Sequence, residues 1–191
     1  LYVVPLRALA REKYDEFREK YGQLGVRVGI STGDYDAIDP RLARYDILIA
    51  TSEKVDSLLR HRAKWLADAI SVAVLDEVHL INDPGRGPTL EILAARLKQV
   101  NPELQVLALS ATIRNADEIA GWLNAELTTS EWRPVPLKEG VYCEGRIKFA
   151  DKSTRTIKVA TTDELASIAV DTVLEGGQAL IFVSTRRSAQ A

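Results

Sequence analysis

A short, nearly continuous apolar run that closes on a small polar residue and then gives way to a helix-like segment recurs along this chain. It appears in Leu1 to Val4 before "PLRALA", in "VRVGI" before "STGDYD", and in "DILIA" before "TSEK". It appears again in "SVAVL" before "DEVH", in "LQVLAL" before "SAT" and in "QALIFV" before "STRR". Apolar runs without polar alternation suit strands buried on both faces, as in a parallel sheet. The segments between them have helical spacing: Leu6, Leu9, Ala10, Tyr14, Phe17 and Tyr21 fall on one face, and so do Leu90, Leu93, Ala94 and Leu97. Asn115 with Glu118 and Thr161 with Glu164 fit a capping box, Pro88 fits a first helical position, and Gly176-Gly177 fits a helix stop. Strands alternating with helices predict an α/β fold, a parallel sheet with flanking helices. In such sheets ligands bind outside the carboxyl ends of the strands, so the polar tips are expected to collect at one edge.

The pattern breaks at "SEWRPVPLKEG", where Pro134 and Pro136 interrupt any regular element. We expect a first domain over 1–131, a linker over 132–140, and the start of a second domain over 141–191. "GVYCEGRIKFADKSTRTIKV" reads as a hairpin with "DKS" at its turn. Thr161 to Glu175 then reads as helix and Gln178 to Val183 as a strand. The chain opens inside an apolar run without an initiator Met and stops just after a strand-like segment, as expected of a fragment.

Composition excludes several classes. The 191 residues carry a net charge of −2, so there is no globally basic coat for nucleic acid, and any contact with DNA or RNA must rest on local patches. Cys143 is the one cysteine, which excludes an internal disulfide framework, and with two distant histidines it gives no zinc-type ligand spacing. No stretch has the length of a membrane span and no signal-peptide pattern opens the chain; the expectation is a cytoplasmic protein with no membrane contact.

Within this frame "SVAVLDEVHLI" is the most informative string, because an apolar run there ends in Asp76, Glu77 and His79. Asp and Glu after a strand are common turn and helix-start residues. They also share their edge of the predicted sheet with Ser110, Ala111 and Thr112 of "SAT", and with Thr51, Ser52 and Glu53.

Taken in order, "PLRALA", "TGD", "ATSEK", "DEVH", "SAT" and "IFVSTRR" resemble motifs Ia, the Gly-Asp element, Ib, II, III and IV of a superfamily-two helicase. The strings "HLINDPGRGPTLE", "SATIRNADEIAGWLNAE" and "WRPVPLKEGV" are similar to the Ski-two-like group, and within it to the archaeal HELQ-type DNA repair helicases. The resemblance covers essentially the whole chain. It implies a RecA-like P-loop NTPase fold, followed by the start of a second RecA-like domain, with ATP and Mg²⁺ as cofactors. It further implies that Asp76 is the metal-side acid (Mg), Glu77 the water-activating one, and His79 a relay toward Ser110 and Thr112. Such a division suits phosphoryl transfer, where the protein mostly positions groups and compensates charge.

By the same resemblance, Pro5, Arg7, Thr51, Ser52 and Glu53 lie where the motifs touch the backbone of a nucleic-acid strand, and Arg186 and Arg187 where a motif faces the interdomain cleft. Arg186 and Arg187 equally fit a surface helix start. The run "RHRAK" (Arg60 to Lys64) reads as basic charge at a helix C-terminus rather than a phosphate grip. "DPGRGPT" lacks the Lys-Ser/Thr ending of a phosphate loop, and no G-x-x-x-x-G-K-[ST] occurs anywhere in the chain.

Three functional classes follow. The first is a fragment of an ATP-dependent DNA helicase acting as a monomer on single-stranded or forked DNA at stalled replication forks. The second is an RNA helicase or remodelling ATPase of the same superfamily. The third is a non-catalytic RecA-like scaffold that binds nucleic acid, against which the intact "DEVH" and "SAT" argue.

Overall fold

A computed structural model of the chain describes residues 1–33, 40–60, 64–158, 161–185 and 187–189. It divides into two compact units, Leu1–Thr128 and Thr129–Ala191.

The first unit is built on five strands, β1 (Tyr2–Val4), β2 (Val28–Ser31), β3 (Ile47–Thr51), β4 (Val72–Leu75) and β5 (Gln105–Ala108). They form one sheet in the order β2-β3-β1-β4-β5, and every neighbouring pair is parallel. Helix α1 (Arg7–Gly22) follows β1; α2 (Ser52–Arg60) and α3 (Lys64–Ala69) follow β3; α4 (Gly87–Val100) follows β4; α5 (Ala116–Leu123) follows β5. The two-residue period of the strands divides their side chains between two cores. Val4 and Ile49 are buried with Ala10 of α1, joined by Leu9, Tyr14 and Phe17. Val3, Leu48, Ala50, Ala73 and Leu75 are buried on the other face with Val55 and Leu58 of α2, Leu90, Leu93, Ala94 and Leu97 of α4, and Ile119 and Leu123 of α5.

The apolar stripes expected on α1 and α4 therefore form, with one departure. Leu6 stands outside α1 at its N-cap in an extended conformation, off the helical period that buries the rest of the stripe, and is 41% exposed. The helix after β1 lies on one face of the sheet and those after β3 and β4 on the other. The crevice that such a reversal opens flanks β1, at the carboxyl ends of the strands.

The second unit corrects the sequence reading in three places. The expected hairpin is a three-stranded antiparallel meander, β6 (Gly140–Cys143), β7 (Arg146–Phe149) and β8 (Thr154–Thr156). The "DKS" turn joins β7 to β8, and an additional turn joins β6 to β7 at Glu144 and Gly145, both at positive φ. Helix α6 (Glu164–Leu174) is capped by Asp163, whose side chain accepts hydrogen bonds from the Leu165 and Ala166 amides, and not by Thr161. Thr161 is engaged instead with Ser167 and with the Asp163 backbone. The strand expected over Gln178 to Val183 does not form: Leu180 and Phe182 are 80% and 87% exposed. Among the described residues no strand runs beside it, and an isolated strand leaves its backbone groups unpaired. Gly176, at φ +82°, does end α6 as expected.

Candidate functional site

Because all five strands of the first unit are parallel, their carboxyl ends bring together Pro5 and Arg7 after β1, Thr51 to Glu53 after β3, Asp76 to His79 after β4, and Ser110 to Thr112 after β5.

Asp76 extends β4 by one rung, its amide donating to the Val3 carbonyl at 2.9 Å. The carboxylate is held at both oxygens. The Tyr2 hydroxyl donates to Oδ2 at 2.9 Å and the Glu77 amide donates to Oδ1 at 3.0 Å. Glu77 then leaves the strand in the left-handed region, φ 56° and ψ 42°, an uncommon conformation for a residue with a Cβ. The backbone reverses into a short 3₁₀ turn, Val78–Asn82, and the two adjacent carboxylates part company. Asp76 faces Tyr2, whereas Glu77 Oε2 lies 3.2 Å from His79 Nδ1.

The turn is anchored to the next strand. The Val78 amide donates to the Leu109 carbonyl at 2.8 Å and the Leu109 amide to the Leu75 carbonyl at 2.9 Å. His79 thereby faces the "SAT" segment through its backbone: the Ala111 amide lies 3.5 Å from His79 Nδ1. That nitrogen serves two partners with opposite demands. Carrying a proton it donates to Glu77; without one it accepts from Ala111. The Ser110 and Thr112 hydroxyls are not the groups that meet His79. Both residues are exposed, and Ser110 Oγ donates to the Ala111 carbonyl.

Tyr2 was invisible as a site residue in the sequence. Its position in "LYVV" marks it only as sharing Val4's face of a strand, and its reach to Asp76 depends on β1 lying beside β4. Burial first, then the hydrogen bond and charge of Asp76 with lesser contributions from Glu16 and Glu77, raise its phenol above the usual value, so the hydroxyl stays a donor.

Of the residues expected to touch a nucleic-acid strand, Arg7 opens α1 and is exposed and Pro5 is half-buried, and the α1 N-terminus has no side-chain cap. Helix α2 begins directly at Ser52, so Thr51 and Ser52 are only 4% and 7% exposed while Glu53 is open to solvent. Arg60 is not a free helix-end cation: it pairs with buried Asp56 at 2.6 Å, and Arg96 approaches the same carboxylate at 3.5 Å. His61 and Arg62 of the basic run lie outside the described residues, as do Asp34 of "TGD" and Arg186 of the cleft pair. Arg187 is exposed.

"DPGRGPT" is a turn that launches α4. Asp83 Oδ1 accepts the Gly85 and Arg86 amides at 2.9 Å each, and Gly87 packs so tightly that a Cβ there would stand 2.0 Å from the Ile81 carbonyl oxygen.

The sequence and the fold are matched by known proteins. The family model described as DEAD/DEAH box helicase matches residues 1–119. The chain belongs to the DEAD/DEAH box helicase family. It is 53% identical, over its whole length, to the ATP-dependent DNA helicase Hel308 of Methanocella arvoryzae, of which it covers 26%. It is 50% identical over 99% of its length to Hel308 of Methanocaldococcus jannaschii, covering 16% of that protein. The crystal structure of the DUF1998 helicase MrfA matches 64% of this chain and 21% of that one, with a TM-score of 0.54 at 25% identity. The chain thus spans between 16% and 26% of the two Hel308 relatives' length, and the parallel sheet of its first unit is the RecA-like fold of this family. Among the described residues no helix is long and apolar enough to cross a membrane.

A helicase of this family uses ATP, generally with Mg²⁺, and the residues present fit that ion. Among the described residues no three His, Cys, Asp or Glu side chains cluster as a metal cage. Mg²⁺ in nucleotide enzymes needs none, being held by one or two carboxylates together with phosphates and water. Asp76 supplies such a carboxylate, oriented at both oxygens by one hydrogen bond each and half-exposed at the sheet edge.

Proposed function

We propose that this chain is part of an ATP-dependent DNA helicase that couples ATP hydrolysis to movement on single-stranded or forked DNA, acting as a cytoplasmic monomer in repair of stalled replication forks. Residues 1–131 are its first RecA-like domain, 132–140 the linker and 141–191 the start of the second RecA-like domain. The observation that carries the reading is the left-handed Glu77, which aims two adjacent carboxylates at different partners and lets them take different tasks. DNA is preferred to RNA because the relatives matched over the whole chain are named DNA helicases.

Mg²⁺, when bound, supplies positive charge beside the transferred phosphoryl group. Asp76 is the residue that would hold it, its carboxylate fixed by Tyr2 and the Glu77 amide. The Glu77 carboxylate orients the attacking water and takes its proton. His79 lies between the Glu77 carboxylate and the Ala111 amide, and this contact supports reading it as the link by which hydrolysis would reach Ser110, Ala111 and Thr112. The Arg7 guanidinium and the uncapped N-terminus of α1 after Pro5 would meet the phosphates of the strand, with the Thr51 to Glu53 segment beside them, contacts that position the strand without reading its sequence. The assignment of Arg186 and Arg187 to a motif of the interdomain cleft rests on the family resemblance alone.

The test is Glu77→Gln in the whole protein. Shape and hydrogen bonding persist but the charge is gone, so nucleotide binding should survive while single-stranded-DNA-stimulated phosphate release disappears. Hydrolysis near the wild-type rate would remove Glu77 from its role. Stimulation by single-stranded RNA but not DNA would overturn the choice of substrate.

A further inference from the structure

We propose that Tyr2 is a positioning residue for the metal-side carboxylate: its hydroxyl, donating to Asp76 Oδ2, fixes the rotation of that carboxylate and so sets the protein's grip on Mg²⁺. The proposal rests on the reading of Asp76 given above.

A carboxylate on a short side chain rotates broadly about its last torsion unless hydrogen bonds hold it. Asp76 has two such bonds, and they act on different oxygens: the Glu77 amide on Oδ1 at 3.0 Å and the Tyr2 hydroxyl on Oδ2 at 2.9 Å. The first comes from the next residue and moves with the same turn. The second crosses from β1 and is independent of it. A carboxylate offers about four lone-pair sites, so two bonds orient the group and leave the remainder for a cation.

The donor is itself held in place. The Tyr2 ring meets Phe17 of α1 edge-to-face, with centroids 5.3 Å apart and planes at 88°, and Phe17 in turn meets Tyr21 at 5.7 Å. The backbone of β1 is fixed by its parallel pairing, Tyr2 opposite Val74 of β4 and Ile49 of β3. A phenylalanine here would keep the ring packing and lose only the hydroxyl, which separates positioning from folding. Outer partners of metal-binding groups of this kind typically change metal affinity by about 10- to 100-fold when removed.

The experiment measures the Mg²⁺ midpoint for binding of a fluorescent non-hydrolysable ATP analogue to the whole protein, with no turnover, alongside the melting temperature in chelator. Tyr2→Phe should raise the midpoint about tenfold with little change in melting temperature. Asp76→Ala should also raise it, and Tyr2→Phe added to Asp76→Ala should add nothing, because the two groups act as one. Leu93→Ala, which opens a core site on the opposite face of the sheet, reports the effect of general loosening and should leave the midpoint in place. If Asp76→Ala shifts the midpoint and Tyr2→Phe does not, the proposal fails and the functional reading stands. If Asp76→Ala leaves it unmoved, the reading of Asp76 fails and takes the proposal with it. A Tyr2→Phe shift that persists in the Asp76→Ala background, or one that Leu93→Ala reproduces, also overturns the proposal.

Discussion

Replacing Glu77 by glycine should make the protein more stable than replacing it by alanine, while both variants of the whole protein should lose ATP hydrolysis. Glu77 sits at φ 56° and ψ 42°. A residue with a Cβ pays about 1–2 kcal/mol to adopt the left-handed conformation, and alanine inherits that strain. Glycine escapes it but gives up about 0.5–1 kcal/mol more backbone entropy on folding. The 3.2 Å contact between Glu77 and His79 is lost in both variants and cancels. The difference should therefore favour glycine by about 0.5–1 kcal/mol, or roughly 2–5 °C in melting temperature for a unit of this size. Thermal and urea unfolding of the 191-residue chain carrying each variant reads the stability, and phosphate release by the whole protein reads the chemistry. A glycine variant no more stable than the alanine variant would mean that residue 77 is not held in a strained turn, and the account of how the two acids are aimed apart would fall with it. The expected outcome separates stability from activity, a trade-off common where a site stores backbone strain.

Three further outcomes follow from the same geometry. Gly87→Ala should destabilise by about 1–3 kcal/mol, because its Cβ would stand 2.0 Å from a backbone oxygen, whereas Gly85→Ala meets only an Asp83 side-chain oxygen at 3.3 Å and should be much milder; equal unfolding midpoints would refute the tight turn. In the whole protein, Arg7→Ala should weaken single-stranded DNA binding equally for unrelated sequences and make its salt dependence shallower by about one phosphate contact. Arg60→Ala should leave that slope alone and lower stability, since it strips a cation from buried Asp56; a salt titration that moves with Arg60 and not Arg7 places the strand on another surface. Asp46 is held down to about 2 chiefly by its hydrogen bond from the Arg27 side chain, so its stabilising effect is present above the ordinary carboxylate pKa and fades as pH falls through about 2. Asp46→Asn should accordingly be less stable than the parent at neutral pH and approach it as the pH drops from about 4 through 2; a gap that does not narrow over that range would contradict the ion pair.

The sequence by itself determined the parallel α/β character of the first unit, the apolar faces of α1 and α4, and the meeting of "DEVH", "SAT" and "TSEK" at one edge. These are legible because burial on one face or both is written in the local period of each element, and parallel strands bring their tips to the same side whatever their order. Tertiary structure alone decided the strand order β2-β3-β1-β4-β5, and with it the contact of Tyr2 with Asp76, 74 residues away. It also decided that Glu77 turns left-handed, since that conformation is imposed where Val78 is tied to Leu109 and Asp76 to Val3 rather than preferred by glutamate. The covering of Thr51 and Ser52 likewise follows from α2 starting without a loop. Where the sequence misled, the missing term was a partner. Gln178 to Val183 has strand composition and no strand beside it among the described residues, and Thr161 has a capping side chain that is occupied by the Asp163 backbone while the Asp163 side chain reaches the Leu165 and Ala166 amides. Propensity belongs to a residue and its near neighbours, whereas pairing, register and strain belong to whatever the fold brings against it.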